Sequence, residues 1–266
     1  VFETLAYSVA DGIAVITLDR PGRHNAINHQ MHCELPRVWE VFDRDPEAIV
    51  AIVTGSGEKA FCTGADVADL PKLDRESAPS HHAIRWTGLQ NRVWKPVICA
   101  VNGLTVGGGL HFVADADIVL ASENAAFCDS HVSVGLVAGL EPVSLARRMP
   151  LEAVLRLSLV GRDERMSADR ALALGMVGEV VAPDCLMKRA RELAASIAKN
   201  SPSAMGRTKR AIWQSLELPL HEALDAAWEE ILAHNEGPDF AEGVNAFLER
   251  RAPRWAPLTP EQPDER

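Results

Sequence analysis

Two buried strands each run straight into a glycine-bearing loop, and this constrains the chain more than any other feature. AIVAIVTG at 48–55 is apolar up to its last two residues, and Phe61-Cys62-Thr63-Gly64-Ala65-Asp66 follows within a few residues. PVICAVNG at 96–103 repeats the form, and TVGGGLHFVADA enters a helix at Gly107-Gly108-Gly109. Short apolar runs closed by glycine read as strands buried on both faces. Glycine at a strand-to-helix junction lets backbone N–H groups approach a ligand closely. The first N–H groups of the helix lack intrahelical partners and carry its positive dipole end, so they suit an anion or a developing oxyanion. One such loop alone is equally well read as a tight turn.

The rest of the chain fits an α/β protein. Residues 2–9 alternate, Asp11-Gly12 marks a turn, and IAVITL at 13–18 is a second strand. RPGRHNAIN at 20–28 is a loop; a helix follows to about Arg44, with Pro36 kinking it or marking its true start. Residues 71–80 read as a polar loop, and Ile84, Trp86 and Leu89 as one helix preceded by His81-His82. DIVLAS and AAFCDS are short strands. Beyond about residue 181 the pattern becomes helical, at 184–199, 203–214, 219–235 and 239–250, broken at Asn200-Ser201-Pro202 and Gly237-Pro238. The Pro-rich PRWAPLTPEQPDER reads as a flexible tail. The sequence shows no clean internal repeat.

Composition narrows the partners. A formal net charge of −10 argues against nucleic acid or an anionic membrane surface. No apolar run is long enough to span a bilayer. Five dispersed cysteines with no CxxC pair read as reduced thiols in a cytoplasmic protein without structural zinc. His29, His32 and Cys33 lack a supporting carboxylate and read as a helix face. The N-terminal VFETLAYSVADG has no charged and apolar leader pattern, and the terminal PDER is not a peroxisomal address.

FCTGAD, then KPVICAVNGLTVGGGLHFVADADIVLASENAAF, with RPGRHNAIN before and RALALGMVGEVV and EGVNAFLERR after, closely resembles the crotonase (enoyl-CoA hydratase/isomerase) family. The resemblance covers about residues 2 to 255. It implies a ClpP-like α/β spiral of ββα units over 1–195 and a helical oligomerisation region and tail over 196–266, assembling a homotrimer or homohexamer. It implies an acyl-CoA substrate with no separate cofactor, coenzyme A being part of the substrate. By position, the N–H groups of Ala65 and Gly108 form the oxyanion hole for the thioester oxygen. Two fixed donors in a dry site stabilise an enolate by several kcal/mol.

The resemblance also exposes a departure. Hydratases of this family carry two glutamates, and at their positions this chain has His111 and His131. Two imidazoles can divide acid and base work if held in different protonation states. A packed, non-catalytic histidine is the competing reading for each. The electropositive helix end favours a neutral His111, whereas Asp129 shares a face with His131 if that stretch is extended. Glu141, in Gly139-Leu140-Glu141-Pro142, is either a further working carboxylate or a helix first-turn acid. Asp66 reads as structural.

For coenzyme A, Arg23 is the phosphate candidate and Arg20 a solvated loop arginine. Arg251, Arg254 and Trp255 stand where relatives approach the nucleotide, often from a neighbouring subunit; the usual lysine there aligns with Ala252. Trp86 either lines the acyl pocket or packs in the core. Three functions follow: enolate chemistry other than standard hydration (isomerisation, C–C hydrolysis or decarboxylation); hydration through the histidines or Glu141; or non-catalytic acyl-CoA binding. Standard crotonyl-CoA hydration is expected to be slow.

Overall fold

The computed structural model describes residues 1–69, 76, 78 and 80–257. Among these, ten strands form two sheets. The larger has the order β1-β2-β3-β5-β7-β10, from β1 (Leu5–Ala10), β2 (Ile13–Leu18), β3 (Val50–Gly55), β5 (Val97–Val101), β7 (Ile118–Ser122) and β10 (Glu179–Val181). The smaller has the order β4-β6-β8-β9, from β4 (Ala60–Cys62), β6 (Leu104–Val106), β8 (Ala126–Cys128) and β9 (Met166–Ser167).

The β1–β2 hairpin turns at Asp11 and Gly12, both at positive φ (53° and 77°), as a two-residue hairpin turn of matching twist requires. From β2 onward the large sheet is parallel. Its central strands β3 and β5 are buried throughout, so their sequences are apolar at successive positions rather than at alternate ones, Thr54 excepted. The two faces feed separate cores. Ile13, Val15, Val50, Ile52, Ile98 and Ala100 face Leu186, Ala190 and Ala194 of α6 (Leu186–Ile197). The intervening Ala14, Ile16, Leu18, Ala51, Val53, Cys99 and Val101 enter the main core with Trp39 and Phe42 of α1 (His29–Arg44).

A structural repeat emerges that the sequence hides. β3, β5 and β7, neighbours in the large sheet, are each followed by a short strand of the small one, β4, β6 and β8, which are again neighbours and parallel. The repeating units are unequal in length and share no residues at fixed spacing, so no sequence period survives. Three loops therefore leave the carboxyl ends of adjacent strands: 63–66, 107–109 and 129–131. Carboxyl ends of strands are where open α/β sheets bind ligands.

Two helix expectations need correction. α1 begins at His29, capped by Asn28 Oδ1 accepting Met31 N–H at 3.0 Å, and continues through Pro36 to Arg44. Burial of Met31, Glu34, Leu35, Val38, Trp39 and Phe42 along one face offsets the lost backbone bond. Residues 81–91 hold no α-helix; 3-10 turns at His81–Ala83 and Leu89–Asn91 flank an irregular stretch. There Trp86 N–H, Thr87 N–H and Gln90 bond one another instead of forming a helical ladder. Most of the expected 71–80 loop, and the tail from residue 258, lie outside the described residues.

The C-terminal helices α7 (Pro202–Ser215), α8 (Leu220–Asn235) and α9 (Pro238–Glu249) match the expected breaks. α7 is pinned to the core by Asp117, which accepts from Lys209 Nζ and Trp213 Nε1, both at 2.8 Å, and from Val97 N–H at 2.7 Å. Leu224, Trp228, Ile231, Leu232, Phe247 and Leu248 remain exposed on α8 and α9.

Candidate active site

The loop after β4 is fixed from behind. Ile27 and Ala65 form a parallel bridge in which Ile27 N–H donates to Gly64 O (2.7 Å) and Asp66 N–H to Ile27 O (2.8 Å). Successive peptide groups of extended chain point oppositely, so the Ala65 N–H points away from Ile27, toward the Gly107–Gly109 turn. Gly64 has φ +79°, and a Cβ there would lie 2.8 Å from both Gly108 N and Val106 O. Only glycine permits this approach. Gly108 N–H, within the 3-10 turn that opens α2 (Leu110–Asp115), has no earlier turn to bond. The Ala65 and Gly108 amides thus flank one small space, as donors to an oxyanion would.

Arg20 closes the loop from the other side, which corrects the solvated reading. Its guanidinium donates to Ala26 O (2.5 Å) and pairs with Asp66 (3.2 Å), both side chains largely buried. Asp66 is structural, as expected, and its partner is Arg20. Asn25, at φ 55° and fully buried, adds bonds from Nδ2 to Ser56 O and Ala60 O, both 3.0 Å.

The loop after β8 brings His131 to the same place. A Cβ on Gly107 would sit 3.3 Å from His131 Cε1, so the imidazole lies against the glycine beside the hole. Asp129 meets His131, but not through an extended strand. The chain turns at once, Asp129 Oδ1 accepting the His131 backbone N–H (3.0 Å) and its ring Nδ1 (2.7 Å). Asp129 is fully buried, while the His131 side chain is 22% exposed. The hydrogen bond to Asp129 raises the His131 pKa above the ordinary histidine value; burial opposes it, and the nearby Glu141 and Asp129 charges add to the rise. Nε2 makes no hydrogen bond to the described residues.

His111 occupies a different setting. It is 2% exposed, on α2, with Nε2 3.3 Å from Glu141 Oε1 and Nδ1 3.0 Å from Gln90 Nε2. Glu141 is the second residue of α3 (Leu140–Leu145), so it is a first-turn acid and a partner of the site at once; it is 5% exposed. Trp86 is buried beside them. It belongs to the core, yet its ring stands edge-on to His111 at 5.6 Å and a Cβ on Gly108 would lie 2.8 Å from it. Gln90 is the residue that sequence reasoning missed, since no motif marks a lone glutamine in an irregular stretch.

Of the nucleotide candidates, Ala65 lies in the glycine-bearing loop itself, whereas Trp255 stands apart from it within one chain. Arg23 is exposed on the 20–28 loop. Arg251 pairs with Glu242 and Glu249, both at 2.6 Å, and Arg254 N–H bonds Glu242. Trp255 donates to Lys199 O and stands with Ile49 and Pro96, at the starts of β3 and β5, opposite to the ends that lead to the hole. Among the described residues no three His, Cys, Asp or Glu side chains gather as metal ligands, and no helix is long and apolar enough to cross a membrane.

Fold and site together define an α/β protein in which two glycine-bearing loops meet beside two histidine–carboxylate pairs. The family model for enoyl-CoA hydratase/isomerase matches residues 8–257, and the chain belongs to that family. It is 35% identical to (E)-benzylidenesuccinyl-CoA hydratase of Thauera aromatica, over 93% of this chain and 96% of that one. It is 37% identical to the mevalonyl-coenzyme A hydratase of Aspergillus fumigatus, over 92% of each. The crystal structure of an enoyl-CoA hydratase/isomerase from Mycobacterium paratuberculosis superposes with a TM-score of 0.88 at 41% identity, over 97% of this chain and all of that one.

Proposed function

We propose that the chain catalyses the reversible addition of water to a 2-enoyl-CoA thioester. The observation that carries this reading is that the two histidine–carboxylate pairs run in opposite senses. At His131 the imidazole borders the hole with Asp129 behind it; at Glu141 the carboxylate lies within ion-pair distance of His111, Oε1 being 3.3 Å from Nε2. Hydration needs one group to deprotonate water as it attacks Cβ and another to deliver a proton to Cα. His131, held toward its protonated form and adjoining Gly107, is the acid at Cα. Glu141 is the base on water. The Ala65 and Gly108 amides stabilise the thioester oxygen as charge builds on it. The Cβ–O and Cα–H bonds form as the C=C π bond, one O–H of water and the His131 N–H break, the water proton passing to Glu141; Glu141 and His131 then exchange protons with solvent.

Enolate chemistry other than hydration needs only a single base. Its specific support is the absence of glutamate at both hydratase positions, 111 and 131. The test is incubation with a panel of enoyl-CoA and acyl-CoA thioesters in deuterated buffer, read by mass spectrometry, with wild type and Glu141→Gln. Hydration predicts gain of water with one deuteron at Cα, lost in the Glu141→Gln variant. Deuterium exchange with no hydrated product, unchanged in that variant, sinks the hydratase reading and supports the other.

The exposed apolar faces of α8 and α9 support assembly as a homotrimer, where Arg251, Arg254 and Trp255 of one chain can approach coenzyme A on a neighbour. Sedimentation at micromolar concentration should give a trimer or hexamer; a monomer refutes it.

A further inference from the structure

His111 Nδ1 faces Gln90, which lies outside both histidine–carboxylate pairs. Gln90 Oε1 accepts two backbone N–H groups, Trp86 at 2.8 Å and Thr87 at 3.2 Å. The reversed amide would set its NH2 against two donors, so the backbone decides which atom is which. Gln90 Nε2 is left 3.0 Å from His111 Nδ1. An amide NH2 only donates, so Nδ1 must offer its lone pair. The single proton of the neutral ring then sits on Nε2, 3.3 Å from Glu141 Oε1.

The surroundings hold this relay still. Gln90 N–H donates to Thr87 Oγ1 (3.2 Å), and Thr87 Oγ1 donates to Asp115 Oδ2 (2.7 Å). Asp115 is one helical turn beyond His111 on α2, so the helix and the 86–91 stretch are tied at two points. The Trp86 ring closes the remaining side of the imidazole, edge-on.

We propose that Gln90 is a positioning residue that sets the His111 tautomer and, through it, holds Glu141 by one carboxylate oxygen, leaving the other for the attacking water. The proposal rests on the reading of Glu141 as the base. On this view His111 passes no proton during the reaction; it orients the carboxylate.

The experiment is long-range 1H–15N NMR on histidine-labelled protein, the His111 signals being assigned from their loss in His111→Gln. Wild type should show His111 as the Nε2–H tautomer at the pH of activity. In Gln90→Glu both side-chain oxygens only accept, so the ring proton should move to Nδ1 and Nε2 should lose its bond to Glu141. Hydration kcat should fall by on the order of 10², the scale of a lost acid/base function. KM should stay within about threefold, since ground-state binding is untouched. An Nδ1–H tautomer in wild type overturns the proposal without any variant. So does wild-type kcat in a Gln90→Glu protein whose tautomer has switched. If wild type hydrates no enoyl-CoA, the function falls, and the tautomer alone still decides what Gln90 does to His111.

Discussion

The two histidines stand near the same glycine turn, yet their environments are opposites. His131 is partly exposed, has one nitrogen on a buried aspartate, and keeps the other free at the edge of the hole. His111 is buried, and both its nitrogens are engaged, one by Gln90 and one by Glu141. A carboxylate behind an imidazole raises its pKa and fixes its tautomer for proton transfer. A donor amide behind an imidazole turns the ring into a fixed donor. On the function proposed, the same side chain serves as a proton carrier in one loop and as a bracket on the opposite helix. The partner, more than the residue type, sets the role.

Replacement should separate the two most sharply. His131→Ala should abolish deuterium exchange at Cα of any thioester the wild type exchanges, a loss on the order of 10³ or more, within the range for general acid–base groups. His111→Ala should leave that exchange nearly intact while lowering hydration by on the order of 10², because only the orientation of Glu141 suffers. If the two variants lose exchange equally, the contrast collapses. If His131→Ala exchanges as fast as wild type, Glu141 is the proton carrier instead.

A subtler effect should appear in the pH profile. The His131 pKa is raised first by the Asp129 hydrogen bond. Hydration needs the protonated ring, so kcat/KM for hydration should hold to higher pH than an ordinary histidine allows and fall as pH rises through the raised value. Dehydration needs the neutral ring and should rise over the same interval. Asp129→Asn keeps an acceptor at Oδ1 but removes the charge, so both limbs should move to lower pH. Unmoved limbs would mean that Asp129 does not tune His131. The linkage carries the same sign: the pair's contribution to stability is complete below the unfolded histidine pKa and is lost as pH rises through the folded one.

Much of the fold was legible because local rules act on contiguous residues. The Asp11-Gly12 turn, the fully buried β3 and β5, and the breaks at Ser201-Pro202 and Gly237-Pro238 all read from short stretches. The start of α1 was less clear, since Pro36 suggested a boundary that burial overruled. Of the site, the Gly64 and Gly107–Gly109 loops could be marked from sequence, and so could His111, His131, Asp129 and Glu141. How the carboxylates are shared between the histidines could not, because Asp129 reaches His131 through a turn and Glu141 arrives from another helix.

By itself, the sequence determined that this is a parallel α/β chain whose strand ends carry glycine loops, with histidine at positions 111 and 131. Those properties follow from residue identity and near-neighbour spacing. Only the tertiary structure decided that β4, β6 and β8 lie side by side, that Arg20 clamps Asp66, and that Gln90, twenty-one residues before His111, sets its hydrogen bonding. A hydrogen bond is made by atoms about 3 Å apart, and chain separation does not constrain which atoms those are.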